Sequence, residues 1–346
     1  MTLQELFGIE LPIVQAPMAG VQDSVLAIAV SNAGGLGSLP CAMLDSAGIR
    51  RELEAIRART AKPFNVNFFC HMLPEVSAER DAGWRAVLAP YYEELGIDAS
   101  SGASAGRSPF DANALDVLRE LKPPVVSFHF GLPAADLLVA LREWGAKVMS
   151  SATTVDEARW LEARGVDAII AQGLEAGGHR GLFLTDDLST QVGTMALVPQ
   201  VVRAVNVPVI AAGGIADAGG VRAAMALGAA GVQIGTAYLL CPEATTSAIH
   251  RAALKTDAAR LTAVTNVFTG RPARGIMNRI MRELGPINPA APAFPLAAAA
   301  VAPLRARAES LGRSDFSPLW AGQSASTCRE IAAAALTREL ASQVTA

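Results

Sequence analysis

Residues 168–181 read Ala-Ile-Ile-Ala-Gln-Gly-Leu-Glu-Ala-Gly-Gly-His-Arg-Gly, and the predicted fold is organised around them. The apolar run at 168–171 predicts a buried parallel strand, after which the chain becomes polar and rich in glycine before His179. Glycine lets a backbone pass close to a ligand because it has no Cβ, and successive free N–H groups in such a loop form a concavity that binds anions. The stretch therefore predicts a ligand site beside a titratable ring, with an ordinary surface loop as the alternative.

Eight short apolar runs recur along the chain, and most of them are followed by a segment with helical periodicity. The runs are at 13–17, 35–39, 64–69, 125–130, 147–152, 168–173, 208–214 and 231–239. The helical segments include 24–33, 46–60, 134–144, 154–163, 196–204 and 219–227. Near-continuous apolar strands indicate a parallel sheet covered on both faces, and eight such units predict a (β/α)8 TIM barrel. A doubly wound open sheet is the alternative, but the dinucleotide fingerprint after a first strand is absent.

Two stretches interrupt this repeat. Residues 70–111 predict a helix and then a flexible loop rich in glycine and serine over one barrel opening. Residues 241–314 follow the eighth strand, are rich in Ala, Pro and Arg, and predict a small helical cap that binds substrate, because chemistry in barrels sits at the C-terminal strand ends. Residues 327–342 predict a closing amphipathic helix. The predicted barrel therefore comprises residues 1–240 and 315–346.

The composition excludes several classes of protein. Of the 346 residues 51% are hydrophobic and the net charge is −3, so the chain can bury a large core and no long basic run favours nucleic acid. Its four cysteines are far apart, predict no metal site and are typical of a reducing cytoplasm. No signal peptide is evident, and the longest apolar run, 295–304, is shorter than the roughly 20 residues of a membrane span. We therefore expect a cytoplasmic protein with no membrane or nucleic-acid partner.

Polar and glycine residues at the predicted strand ends indicate a cofactor. The loops after the seventh and eighth strands are where barrels commonly hold a phosphate through glycine amides, and they contain Gly213, Gly214 and Gly235. Asn67 and Gln172 would be costly to bury unpaired, and an amide can bind the edge of a heterocycle. Alternatively, each amide ties down a neighbouring loop. Together the features predict a mononucleotide, and a flavin suits a redox barrel.

Over nearly its whole length the chain resembles the nitronate monooxygenase family, once called 2-nitropropane dioxygenases, which are FMN-dependent TIM barrels. The motifs that carry the resemblance are QAPMAG at 15–20, NAGGLG at 32–37, PFNVNFFCH at 63–71, SFH at 127–129, EAGGHRG at 175–181, AGGI at 212–215 and QIGT at 233–236. The forms at 66–71 and 175–181 are similar to the class I branch, which oxidises propionate 3-nitronate and other alkyl nitronates.

The resemblance implies roles for particular residues. His179 would be the catalytic histidine and would bind substrate together with His129. The implied FMN contacts are Ala16, Pro17, Met18, Asn67, Gln172, Gly177, Gly178, Gly213, Gly214, Gln233, Ile234, Gly235 and Thr236. The implied reaction converts a nitronate and O2 to a carbonyl compound and nitrite, by one-electron transfer to the flavin through its semiquinone. A neutral nitroalkane would first lose its α-proton, for which a histidine is the obvious base.

Other functions and residue roles stay open at this stage. Related FMN barrels that share the Ala-Gly-Gly-His core reduce quinones or enoyl-ACP with NAD(P)H, and a third possibility is a barrel that only binds a phosphorylated ligand. His71 and His250 are interpreted as structural or surface residues, and a monomer or homodimer is expected. The cap offers candidate anion partners, although such arginines more often form ion pairs or solvated faces. They are Arg271, Arg274, Arg279 and Arg282.

Overall fold

The structure of the protein is a computed structural model, and it describes residues 1–98 and 108–344. Its strands are β1 (Ile13–Gln15), β2 (Gly37–Pro40), β3 (Phe64–Phe69), β4 (Val125–His129), β5 (Lys147–Ala152), β6 (Ala168–Gln172), β7 (Gly178–His179), β8 (Val209–Ala212), β9 (Gly231–Ile234), β10 (Thr262–Thr265) and β11 (Ala273–Ile276). Its helices are α1 (Leu3–Phe7), α2 (Ser24–Asn32), α3 (Ser46–Arg59), α4 (Ala78–Leu95), α5 (Ala112–Leu121), α6 (Ala135–Arg142), α7 (Val155–Glu162), α8 (Thr194–Ala204), α9 (Ala218–Ala226), α10 (Ala248–Leu254), α11 (Arg279–Glu283), α12 (Ala297–Ser310) and α13 (Ala333–Ala341).

Eight of the strands form a parallel barrel, which confirms the predicted fold. They are hydrogen-bonded in the order β1-β9-β8-β6-β5-β4-β3-β2. A parallel bridge between Val14 and Leu36 brings the first and last strands of this order together. The strands are almost continuously buried, because helices cover the outside and side chains fill the inside. The predicted eighth strand is shorter than expected: it ends at Ile234, and Thr236–Tyr238 form a 3-10 turn instead.

Capping residues start the outer helices where the sequence predicts. The side chain of Thr154 accepts a hydrogen bond from the backbone N–H of Glu157 at the start of α7. Asp217 caps α9 in the same way, by accepting from Gly220. These bonds satisfy backbone donors that have no partner inside the helix, and they fix the residue at which each helix begins.

The segment 241–314 is not purely helical, so the predicted helical cap needs correction. It contains α10, α11 and α12, but also a hairpin in which Thr262 pairs with Ile276 and Thr265 with Ala273. Strand β11 pairs in addition with β7, which belongs to the loop after β6. The hairpin was missed because its strands have four residues each and its loop contains no short turn signature. The division of the chain into barrel and cap stays a prediction.

Helix α4, which follows β3, packs against α12 of the later segment. The indole Nε1 of Trp84 donates to the carbonyl of Ala297 at 3.3 Å, and the hydroxyl of Tyr92 donates to that of Ala300 at 2.5 Å. Around these bonds both helices share one hydrophobic cluster. The helix predicted within 70–111 is therefore present, and the flexible loop predicted after it falls on 99–107, outside the described residues. Within the described ranges no helix is long and apolar enough to cross a bilayer.

Candidate active site

A cavity at the C-terminal ends of the barrel strands brings together every residue that the family resemblance assigns to the cofactor or the substrate. The predicted residues that line it are Ala16, Pro17, Met18, Asn67, His129, Gln172, Gly177, Gly178, His179, Gly213, Gly214, Gln233, Ile234, Gly235 and Thr236. Their lining of one cavity is a structural fact, whereas their individual roles stay predictions. Phe69, Trp320, Gly322 and Ser324 also line the cavity and were not predicted.

The side chain of Gln172 ties down the loop that follows its own strand. Its Nε2 donates to the carbonyl oxygen of His179 at 3.0 Å, and its Oε1 accepts from the backbone N–H of Gly181 at 2.8 Å. This is the alternative that the sequence left open for a buried amide. Gln172 therefore locks the backbone on both sides of the His179 ring, while it also lines the cavity.

His129 supports the same backbone from the neighbouring strand β4. Its Nε2 lies 3.1 Å from the carbonyl oxygen of His179, and its Nδ1 lies 3.0 Å from the hydroxyl of Ser151. A carbonyl oxygen can only accept, so the proton is on Nε2 and Nδ1 accepts from Ser151. Burial lowers the pKa of His129 to about 4, which keeps the ring neutral in this arrangement. Its predicted contact with substrate stays a prediction.

Two histidines with lowered pKa values make the stability of the fold sensitive to acid. Burial lowers the pKa of His129 and of His250 from 6.5 to about 4, so the unfolded chain binds protons that the folded chain does not. Each therefore contributes up to about 3 kcal/mol that is fully present above pH 6.5 and is lost as the pH falls toward 4. Urea unfolding between pH 7 and 4.5 should show this loss. Carboxylates such as Glu94, whose pKa is lowered by Arg279, titrate below that window.

The variant His250→Gln separates the contribution of His250 to the pH dependence of stability from that of His129. It should remove about half of the pH dependence between pH 7 and 4.5, because His250 lies in α10 and shares no hydrogen bond with His129. A slope that stays the same in the variant would contradict the assignment of the dependence to buried histidines.

His179 lies where the barrel loop meets the later hairpin. It pairs with Ala273 across β7 and β11, and its Nε2 lies 2.9 Å from the hydroxyl oxygen of Thr269. Aromatic rings surround the imidazole at centroid distances of 5.3, 5.4, 6.1 and 6.2 Å, in the order Phe294, Trp320, Phe130 and Phe69. The barrel sets the position of the backbone, and residues from the later segment orient the ring.

Two amides present acceptor groups to the cavity. Asn67 lines the cavity, and its Nδ2 donates to the hydroxyl of Ser127 at 2.9 Å. Its Oδ1 is left as an acceptor for a bound ligand. The Oε1 atom of Gln233 is buried and has no hydrogen-bond partner within the described ranges. A buried acceptor without a partner is costly, and a donor on a bound heterocycle would relieve that cost. These residues therefore fit a ring with N–H donors.

The loops after β8 and β9 give the cavity the character of an anion site. Gly213 and Gly214 adopt φ values of +118° and +74°, which side chains rarely allow, and Thr236 opens the 3-10 turn after β9. The backbone N–H of Gly322 donates to the hydroxyl of Thr236 at 2.9 Å, and Ser324 donates to the carbonyl of Gly214 at 2.8 Å. The segment 320–324 therefore closes this side of the cavity. The sequence does not predict it, because the segment follows no predicted strand.

The four arginines proposed as anion partners have other functions in the structure. Arg279 forms a 2.7 Å ion pair with Glu94, and the side chain of Arg282 is exposed. Arg274 donates to the carbonyl of Leu174 at 2.9 Å. Arg271 lies 4.0 Å above the ring of Phe130 and donates to Leu182, and burial lowers its pKa. The lining formed by the described residues contains none of the four.

The fold and the site define an enzyme of the (β/α)8 class, with glycine loops and a histidine at the carboxyl ends of its strands. A family model described as nitronate monooxygenase matches residues 1–343. The chain belongs to the nitronate monooxygenase family, as its motifs predict, and is an oxidoreductase.

Relatives and a solved structure agree with this assignment along nearly the whole chain. A nitronate monooxygenase of Paraburkholderia phytofirmans is 44% identical over 98% of this chain and 93% of its own length. One from Pseudomonas aeruginosa is 43% identical over 98% of this chain and 97% of its own. The crystal structure of nitroalkane oxidase from Streptomyces ansochromogenes matches with a TM-score of 0.88 and 39% identity, covering 99% of this chain and 97% of that one.

Proposed function

We propose that the protein is an FMN-dependent monooxygenase that converts alkyl nitronates and O2 to a carbonyl compound and nitrite. Propionate 3-nitronate and simple nitroalkanes are its candidate substrates. The observation that carries the proposal is a single cavity lined by both His179 and Gln233, whose buried Oε1 has no hydrogen-bond partner within the described ranges. The flavoenzyme character of the family supports a bound flavin, and the residues present fit the mononucleotide.

Two groups of lining residues suit the two parts of FMN. Asn67 and Gln233 would bind the polar edge of the ring system, since both present amide groups to the cavity. Gly214 and Thr236 would hold the phosphate, because backbone N–H groups at such turns favour an anion. When bound, FMN accepts electrons from the substrate and passes them to O2.

His179 performs the steps that the chain itself supplies. With a neutral nitroalkane its imidazole takes the proton from the α-carbon, and the substrate becomes a nitronate. With a nitronate already formed, no proton has to be removed and the ring only orients the anion. The hydroxyl of Thr269 fixes the direction of the ring, and Phe69 and Trp320 keep water from the side of the cavity that they line.

Anaerobic reduction by two donors tests the proposal. The purified protein should be yellow, and heating it should release FMN that mass spectrometry can identify. Ethylnitronate should bleach the flavin absorbance rapidly without O2, whereas NADH should do so slowly, because the cavity is assigned to the nitronate as electron donor. Stopped-flow absorbance in the flavin bands measures both rates, with free FMN in the same buffer as the control.

Each alternative function gives a different result in that experiment. Rapid bleaching by NADH and none by ethylnitronate would replace the proposal with a reductase of quinones or enoyl thioesters. A colourless protein that binds a phosphorylated compound and is not reduced by either donor would point to a binding barrel.

A further inference from the structure

Two fully buried ionic side chains flank the loop that carries His179, and the proposed chemistry uses neither of them. Arg180 follows His179 directly, and Glu157 lies in α7 on the outside of the barrel; both are 0% exposed. A buried charge costs several kcal/mol unless other groups compensate it. The contacts of these two side chains must therefore provide that compensation.

A chain of hydrogen bonds joins the cation to the anion. The Nε of Arg180 donates to Oε1 of Gln191 at 3.1 Å, and Nε2 of Gln191 donates to the hydroxyl of Thr153 at 2.9 Å. The hydroxyl of Thr153 donates in turn to Oε2 of Glu157 at 2.7 Å. We call these four residues the buried relay: Arg180, Gln191, Thr153 and Glu157.

All the bonds of the buried relay run in one direction, from the guanidinium to the carboxylate. Arginine can only donate and an ionised carboxylate can only accept, so the amide of Gln191 and the hydroxyl of Thr153 each have one permitted orientation. Aligned bonds of this kind strengthen one another at low dielectric, and those at the two ends are assisted by charge. The relay therefore compensates both buried charges at a distance, without a direct ion pair.

The two ends of the relay hold the backbone on opposite sides of His179. Arg180 donates to the carbonyl oxygens of Gln172 at 2.8 Å and Gly173 at 2.7 Å, where β6 ends. Glu157 accepts through Oε1 from the backbone N–H groups of Phe183 at 2.6 Å and Leu184 at 3.3 Å. The segment 173–183 is thus attached at its beginning to the cation and at its end to the carboxylate.

We propose that the buried relay is a positioning device for His179, with Glu157 as its anionic anchor. Loss of the carboxylate releases the backbone after His179 and removes one of the two carboxylates, Glu157 and Glu175, whose charges act on the guanidinium of Arg180. The imidazole then loses its alignment with the α-carbon of a neutral nitroalkane, while oxidation of a preformed nitronate needs less alignment. The kinetic part of this inference rests on the proposed function.

The first test follows the backbone directly and needs no substrate. In Glu157→Gln, amide hydrogen exchange measured by mass spectrometry should accelerate by about tenfold or more in peptides that cover 178–184, because the amide keeps only one acceptor oxygen for the donors of Thr153, Phe183 and Leu184, which the carboxylate accepts with two. Glu162→Gln is the matched control. It lies in the same helix and accepts from the N–H groups of Asn206 at 2.5 Å and Val207 at 3.3 Å, outside the relay.

The second test compares nitroethane with ethylnitronate, which differ by one proton. Glu157→Gln and Thr153→Val should lower kcat for nitroethane on the order of tenfold to a hundredfold, with kcat for ethylnitronate reduced no more than about twofold per flavin bound. Thr153→Ser keeps the hydroxyl and should restore most of the nitroethane activity. Glu162→Gln should leave both substrates unchanged.

The outcomes separate this inference from the proposed function. Equal losses on both substrates, or unchanged exchange at 178–184 in Glu157→Gln, would overturn the positioning role. If the wild-type protein oxidises neither substrate, the proposed function is refuted. If exchange at 178–184 is nevertheless faster in Glu157→Gln, the relay is retained as the device that holds the loop.

Discussion

Replacement of His179 by asparagine is expected to lower kcat/KM for nitroethane by a factor of about 10² to 10⁴, while oxidation of ethylnitronate survives in part. A positioned general base contributes about this much to proton transfer, and asparagine cannot take a proton. The shorter side chain also loses the contact that Nε2 of the wild-type ring makes with the hydroxyl of Thr269 at 2.9 Å. Oxygen uptake and nitrite release measure both substrates, each divided by the bound flavin.

The two substrates serve as internal controls for each other in this variant. His250→Asn is the matched histidine loss, because His250 is buried in α10 and does not line the cavity. It should leave the ratio of the two activities unchanged. Nitroethane deuterated at the α-carbon adds a second check, since a primary isotope effect on the wild-type enzyme reports the proton transfer. Equal loss of both substrates in His179→Asn would remove the assignment of a base.

The barrel could be predicted because its information is local. Most barrel strands are short apolar runs followed by a capped helix, as in the step from β5 through Thr154 to α7, so the number of units follows from the chain alone. The glycine loops after β8 and β9 could be found in the same way, because their location at the strand ends follows from the fold.

Contacts that join distant parts of the chain could not be predicted. The bond from Trp84 to Ala297 spans more than two hundred positions, and apolar helices give no sign of which partner they choose. The pairing of β7 with β11 has the same character: a two-residue strand has no period to detect. For this reason the support for His179 from Thr269 was invisible in the sequence.

Buried polar residues were located correctly but their partners were not. Gln172 was expected at the end of β6, yet the sequence left open whether its amide faces a cofactor or ties down a loop. The bonds to His179 and Gly181 show that it ties down the loop, and its contact with a cofactor stays a prediction. Glu157 shows why. A glutamate in the first turn of a helix reads as a favourable dipole interaction at the surface, whereas its complete burial depends on a loop that arrives from another unit.

Replacement of Gly177 by alanine is expected to cost about 1–3 kcal/mol of stability and most of the affinity for flavin. An added Cβ would lie 2.5 Å from the backbone nitrogen of Gly322 and 2.6 Å from the carbonyl carbon of Ala321. Backbone cannot move aside as a side chain can, so the cost is that of an overpacked core. The displaced nitrogen is the one that donates to Thr236 at the proposed phosphate end. Thermal unfolding and flavin fluorescence titration measure both effects.

Two other glycines provide graded controls for this prediction. Gly178 has φ +71° but open space at its Cβ position, so Gly178→Ala should cost only the strain of the left-handed conformation, about 1 kcal/mol. Gly83 is exposed within α4 and also has open space, so Gly83→Ala should stabilise the protein by up to about 1 kcal/mol. If Gly177→Ala binds flavin as tightly as Gly83→Ala does, contact between 177 and 322 does not shape the phosphate end. If only Gly177→Ala loses affinity for flavin, Gly177 makes room for the closing segment 320–324. Its effect on the cofactor is then transmitted through that segment.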